Sequence, residues 1–171
     1  EKKVAAFLKG RVLTDELNLG ELLGEKSRLG KAQCGIEIDA KRPEGGHFAG
    51  NIQANVERLD YKGYTYQDIR LAGNFRRNAF DGSLQVEDPN VSLLVNGLVE
   101  SKRENTVVNL SVDLEHFKPD KLHLLDKFEE PDISFALNAY FVGNNIDNVV
   151  GRIDVDDLSF KTQPDSFYLK K

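Results

Sequence analysis

The chain has 171 residues, enough for one domain with a sizeable core. With 40% hydrophobic and 30% charged residues it is not a disordered chain, and it has no run of about 18 apolar residues that would make a transmembrane helix. The net charge of −5 argues against nucleic acid as a partner; the basic pairs Lys41-Arg42, Arg76-Arg77 and Lys102-Arg103 fall at predicted loops and read as solvated turn residues.

In chain order the pattern is β almost throughout. "VAAFLKGRVL" reads as a strand. "DELNLGELLGEK" reads as a short helix capped by Thr14 or Asp15, with Leu17, Leu19, Leu22 and Leu23 mostly inward. "CGIEIDA" and "FAGNIQANVERLDY" are strands separated by a turn at Pro43-Glu44-Gly45-Gly46, and "YKGYTY" is a tyrosine-rich turn. A three-strand meander follows. After it come the strand "NTVVNLSVDLEHF", a second short helical element at "KPDKLHLLDKF", the strand "DISFALNAYFVG", a loop at "GNNIDN" and a last clear strand, "VVGRIDVDDLSF". The absence of methionine and the start at Glu1 point to a piece of a longer protein, so the expectation is a single β segment over 1–171.

The meander is the most regular stretch. Asp88-Pro89-Asn90-Val91 suits a β-turn, and folding there pairs Val86 with Leu93, Leu84 with Val95, Gly82 with Gly97 and Phe80 with Val99. A turn at Arg77-Asn78 pairs Phe75 with Phe80, Gly73 with Gly82, Leu71 with Leu84 and Ile69 with Val86. Every position on that face is apolar or glycine, and a one-residue slip would destroy the separation. The three-glycine row predicts a crease or a close approach. "FAGNIQANV" and "FDGSLQVED" share Phe-x-Gly-x-aliphatic-Gln, which indicates one strand unit reused along an elongated sheet.

Chemistry-bearing patterns are sparse. Cys34 stands alone, in phase with Ile36, Ile38 and Ala40, and reads as a buried structural thiol. His47, His116 and His123 have no close metal spacing, so no metal or cofactor is expected. Asp154 and Asp156 share one strand face and read as a solvated surface, and no nucleophile elbow or phosphate loop occurs, so the chain is not expected to be an enzyme.

"LNLGELLG", "YKGYTYQDIRLAGNF", "FDGSLQVEDPNVSLLVNGLV", "VNLSVDLEHFKPDKLHL" and "NNIDNVVGRIDVDDLSF", taken in order from Phe7 to Phe160, resemble the TamB branch of the AsmA-like family of Gram-negative envelope proteins. The resemblance implies an interior slice of a long, inner-membrane-anchored, periplasm-spanning protein. It implies an elongated, curved antiparallel sheet, a taco-like trough with an apolar concave face, here with the two short helical elements. It implies lipid transport or outer-membrane protein assembly in the periplasm, with phospholipid acyl chains, an outer-membrane barrel protein and neighbouring segments of its own full-length chain as partners. The terminal strands "VAAFLKGRVL" and "VVGRIDVDDLSF" are then expected to be sheet edges. Phe75, Phe80, Leu84, Val95, Val112, Phe135, Leu137 and Phe141, large, apolar and in phase, are the candidates for a lipid-facing wall. Two other readings stay open: a closed β-sandwich binding module with Tyr61, Tyr64 and Tyr66 as an exposed stacking platform, and a structural assembly scaffold.

Overall fold

The computed structural model describes residues 4–25, 28–125, 127, 129–144, 148–162 and 166–169. Ten strands form one sheet: β1 (Val4–Asn18), β2 (Leu29–Pro43), β3 (Ala49–Tyr61), β4 (Tyr64–Arg76), β5 (Ala79–Asp88), β6 (Val91–Ser101), β7 (Thr106–Phe117), β8 (Asp132–Gly143), β9 (Val150–Lys161) and β10 (Ser166–Leu169). They lie in chain order and every pairing is antiparallel, the arrangement that short connections favour. The sheet is open, with β1 and β10 as its edges. β1 is therefore an edge as expected. β9 is not, because β10 pairs with it from Ser166 opposite Lys161 to Leu169 opposite Leu158. A single sheet is also not the two-sheet sandwich held as an alternative.

The meander has the register that the alternation dictates. Leu84 lies opposite Leu71 on one side and Val95 on the other, and Gly82 lies between Gly73 and Gly97. Two-residue connections set these registers. Asp88 faces Val91 across Pro89-Asn90, and Arg76 faces Ala79 across Arg77-Asn78. Between β3 and β4, Lys62 and Gly63 have φ of 50° and 77°, the left-handed pair of a type I′ turn, whose twist matches that of the strands.

Phase shifts break the alternation in several strands. Asp68 has φ 47°, and both Gln67 and Asp68 are exposed, so Tyr66 and Tyr64 join the side that carries Ile69. The partner strand does the same, with Glu57 and Arg58 both exposed. Asp157 in β9 has φ 52° where its register with β8 shifts. Such bulges are where a sheet changes its local twist.

The fully buried core is small and lies at one end of the sheet. Val86, Val91 and Leu114 pack with Leu122, against Tyr64, Tyr66, Ile69, Leu93, Phe117, Leu124, Ile133 and Phe135. Leu122 comes from the connection between β7 and β8 and is completely buried, as are Pro119 and Pro131. This connection was expected to be helical. Over residues 118–125 it is instead a compact turn, in which Lys118 and Pro119 carbonyls accept from Leu122, Leu124 and Leu125, while Asp126 and Phe128 of the expected helix lie outside the described residues. Pro119 and Pro131 lack a backbone N–H, and the segment's apolar side chains are drawn onto the sheet rather than along a helical face.

The first helical element is shorter than the leucine pattern implies. β1 runs on to Asn18, and α1 spans only Leu19–Leu23. Asn18, not Thr14 or Asp15, caps it, its side-chain oxygen accepting from Glu21 N at 3.1 Å. Leu22 and Leu23 are exposed rather than inward, because α1 lies beside β2 with no layer outside it among the described residues. Lys26, the end of the expected helix, lies outside the described residues.

Candidate functional site

The register extends the meander's rows across nine strands. One row runs Val12, Ile36, Ala54, Leu71, Leu84, Val95, Val112, Leu137, Val155. Its neighbour runs Gly10, Ile38, Ile52, Gly73, Gly82, Gly97, Leu110, Ala139, Ile153. The next runs Leu8, Ala40, Gly50, Phe75, Phe80, Val99, Val108, Phe141, Gly151. Side chains at paired positions lie on one side of a sheet, so these three rows form one continuous surface. No charged or hydroxyl side chain interrupts them.

The eight candidate wall residues all lie on this side of the sheet. Leu84, Val95, Val112 and Leu137 are consecutive in the first row, and Phe75, Phe80 and Phe141 share the third. All are half-buried. Phe135 differs from the rest. It lies opposite Leu114 and packs on the small core under Leu122, so it belongs to the covered end. The other seven are not part of that cluster. Val12, Ile36 and Val155 of the same surface were not among the expected wall residues, although their alternating phase carries the same signal as Leu84.

The glycine row has a packing reason. A Cβ on Gly73 would fall 2.5 Å from Phe80 Cζ, and one on Gly82 would fall 2.9 Å from Phe80 Cε1. A Cβ on Gly97 would meet Leu110 Cδ2 at 2.3 Å. The Phe80 ring and the Leu110 side chain therefore lie over backbone that must be bare. The Phe-x-Gly-x-aliphatic-Gln repeat does not stack in register. Gly50 joins the Phe75 and Phe80 row and Ile52 joins the Gly82 row, an offset of one pair.

The opposite side of the sheet is mostly polar, with Phe7, Leu13, Leu94 and Tyr140 as exposed apolar exceptions. One depression, about 520 Å³, is bordered by Asn51, Gln53, Asn74, Asp81, Ser83 and Asn96 together with the backbone of the glycine row. A second, near the β1 edge, holds Lys9, Arg11, Glu37 and Asp39. These hollows are on the wrong side for an apolar ligand. They lie between ladder side chains, and the ion pairs at the second, Lys9 to Asp39 at 2.9 Å and Arg11 to Glu37 at 3.0 Å, are exposed and contribute little stability.

The chemistry-bearing residues are absorbed by the fold. Asp88 is buried and caps its own hairpin: it accepts from Tyr64 Oη at 2.5 Å, Gln67 N at 3.0 Å and Asn90 N at 2.9 Å. His116 Nε2 lies 3.3 Å from the Asp88 carbonyl oxygen. His123 stacks edge-on against Tyr64 with centroids 6.2 Å apart, and His47 is exposed. Cys34 is half-buried rather than fully buried, although Thr14 of β1 and Val56 of β3 flank it in the ladder. Asp154 is held by Arg152 at 2.6 and 2.8 Å on the polar side. Among the described residues no three His, Cys, Asp or Glu side chains converge as metal ligands would.

The tyrosines do not form an exposed platform. Tyr64 and Tyr66 meet edge to face at 4.9 Å and pack against the buried cluster, with Tyr61 6.4 Å from Tyr66. Burial of its ring raises the Tyr64 pKa, helped by its hydrogen bond to Asp88. Burial also raises that of Tyr66, with the Asp88 charge adding to it. The phase shift at Asp68 put them there, and simple alternation carries no sign of it. Lys41-Arg42 also departs from expectation, lying inside β2, with the Arg42 guanidinium 5.3 Å from the centre of the Phe48 ring. Among the described residues no helix is long and apolar enough to cross a membrane. No protein-family model, no curated protein and no solved structure matches the chain.

Proposed function

We propose that the uninterrupted apolar rows are a lipid path: the chain is a segment of a trough that shields phospholipid acyl chains, as its resemblance to the TamB branch implies. The observation that carries the reading is the row from Val12 to Val155, apolar on nine successive strands with no second sheet over it among the described residues. A single-layer sheet with a cover over one end only leaves that side to be satisfied by a ligand or by water. Burying acyl methylenes stabilises by roughly 0.8 kcal/mol each, so about ten give on the order of 8 kcal/mol before ordering costs. A uniformly apolar strip lets a chain slide between equivalent positions without falling into one deep well.

The glycines support a bend towards this side. A Cβ on Gly50 would fall 2.1 Å from the Asp39 carbonyl oxygen and 2.4 Å from Ala40 Cα, and one on Gly82 would fall 2.4 Å from the Ala72 carbonyl oxygen. Neighbouring backbones crowd the apolar side at these points, as they do when a sheet curls over its own concave face. On this reading the covered cluster around Leu122 closes one end of the path. The chain then belongs in the periplasm, contributing to outer-membrane lipid supply or protein assembly beside a barrel partner.

The direct test is photocrosslinking to phospholipid from reporters at Leu84, Val95 and Leu137, with reporters at Gln85, Asn96 and Asn138 on the polar side as controls. Lipid adducts at the first set and not the second are expected. Equal labelling of both sides, or none on either, would leave a scaffold as the better account.

A further inference from the structure

We propose that the polar side of the sheet carries a binding site for a neutral linear polysaccharide, seated in the depression over β3–β6 and running across the strands. The site lies in the middle of the sheet, on the side opposite the apolar rows, so the proposal is independent of what those rows bind. Its shape follows from residue size. The row Gln53, Ala72, Ser83, Asn96 crosses four strands, and its two middle side chains are short. Asn51, Asn74 and Asp81 stand along the next polar row. Between the two rows, Gly73, Gly82 and Gly97 leave bare backbone as the floor. The resulting hollow measures about 520 Å³.

The polar groups around this hollow are unused by the fold. Elsewhere on this side, neighbouring side chains satisfy one another: Lys9 with Asp39, Gln85 with Glu87, Arg76 with Glu100 and Arg152 with Asp154. Among the described residues, Asn51, Gln53, Asn74, Asp81, Ser83 and Asn96 make no side-chain hydrogen bond or ion pair to the protein. Ser83 is half-buried and the other five are exposed. A carboxamide offers N–H donors and a carbonyl acceptor in one plane, and a hydroxyl both donates and accepts. Four amides and a hydroxyl around one hollow suit a ligand whose own groups do both, as sugar hydroxyls do.

Charge narrows the ligand further. Asp81 is the one charged residue among those lining the hollow, and the carboxylates beyond it, Asp39 and Glu37, are already paired with Lys9 and Arg11. With no cation in the lining, an anionic glycan or a phosphate has no counterion there. With one carboxylate amid four neutral amides, a polycation has little more to bind. An uncharged chain fits both conditions. Spacing supports a linear one. Successive strands stand about 4.8 Å apart, close to the length of one pyranose in a β-1,4-linked chain, so each sugar meets the side chains of a new strand. The rows continue past the hollow: Ser111 and Asn138 extend one and Asn109 the other. The exposed ring of Tyr140 follows Asn109 and offers an apolar surface to the C–H face of a sugar.

NMR titration of the isotope-labelled 171-residue chain with cellohexaose and with N-acetylchitohexaose, both neutral and β-1,4-linked, tests the site. Saturable shifts in the side-chain amide signals of Asn51, Gln53, Asn74 and Asn96 are expected with at least one of them. The anionic hexagalacturonate should cause none there. Asn74→Ala and Asn96→Ala each change an exposed side chain, so circular dichroism should report an unchanged fold. Each should weaken binding roughly threefold to tenfold. Ala72→Leu fills the hollow and should weaken binding by more than about tenfold. Gln85→Ala, on the same side but outside the hollow, should bind as the parent does. The absence of saturable shifts with both neutral hexasaccharides overturns the proposal. So does equal binding of hexagalacturonate, or full-strength binding by the folded hollow variants.

Discussion

Asp88 shows how one side chain holds a corner of the fold. Proline at position 89 presets the turn, and the buried carboxylate then satisfies two backbone N–H groups and the Tyr64 hydroxyl from three points of the chain. Asn90 Nδ2 adds a fourth contact by donating to Tyr64 Oη at 3.0 Å. A charged acceptor with all these donors is stronger than a neutral one, and removing it strands them. The same corner makes stability pH-dependent on the alkaline side. Tyr64 and Tyr66 have pKa values raised above the ordinary 10.0, so the folded state favours their neutral form. Their stabilisation is complete below that ordinary value and is lost as pH rises through the higher folded values. The urea midpoint should therefore fall as pH is raised past about 10. In Tyr64→Phe/Tyr66→Phe the stability should start lower, by roughly 1–2 kcal/mol for the lost hydrogen bonds of Tyr64, and the midpoint should decline less steeply with pH. An alkaline slope equal to the parent's would remove these tyrosines as its cause.

At the level of elements, the strands owe their pairing to alternation and their spacing to glycine. Phe80 can lie across Gly73 and Gly82 only because neither has a Cβ, so the glycine row and the phenylalanine row form one packing unit. Gly73→Val should cost roughly 1–3 kcal/mol in a thermal or denaturant melt, as overpacking does. Gly10→Ala, in the same row but with open space around it, should stay within about 0.5 kcal/mol of the parent. If both variants melt together with the parent, Phe80 does not depend on bare backbone beneath it. The short elements outside the sheet follow different rules. Leucines at helical spacing imply a helix from Asp15, yet the β1–β2 ladder holds the chain extended to Asn18, and only five residues remain helical. Pairing in a ten-strand sheet outweighs a local helical preference of a few tenths of a kcal/mol per residue.

For the whole molecule, the decisive feature is one sheet with a cover at one end. A charge at the covered end is buried without a partner, whereas a charge on the uncovered stretch can reach water in the empty protein. Phe135→Glu should unfold the domain, and Leu84→Asp should leave it folded with a modest loss of Tm. Survival of both would mean that Leu122 and its neighbours do not seal that end, and loss of both would mean that the middle rows are ordinary core. The mostly β, antiparallel character of the chain, the meander's register and the shared side of the eight candidate wall residues were legible in the sequence, because a period of two admits one pairing that separates apolar from polar. The resemblance to the TamB branch also came from the sequence, and with it the proposed lipid role. The phase shifts at Asp68 and Asp157, the burial of the tyrosines, the tenth strand at the edge and the separation of Phe135 from the other seven were not legible there. Each depends on which distant segment packs against which: a positive φ that only a bulge accommodates, or a leucine carried in by the β7–β8 connection. Local alternation determines which side a residue faces, and long-range packing alone determines whether that side is covered.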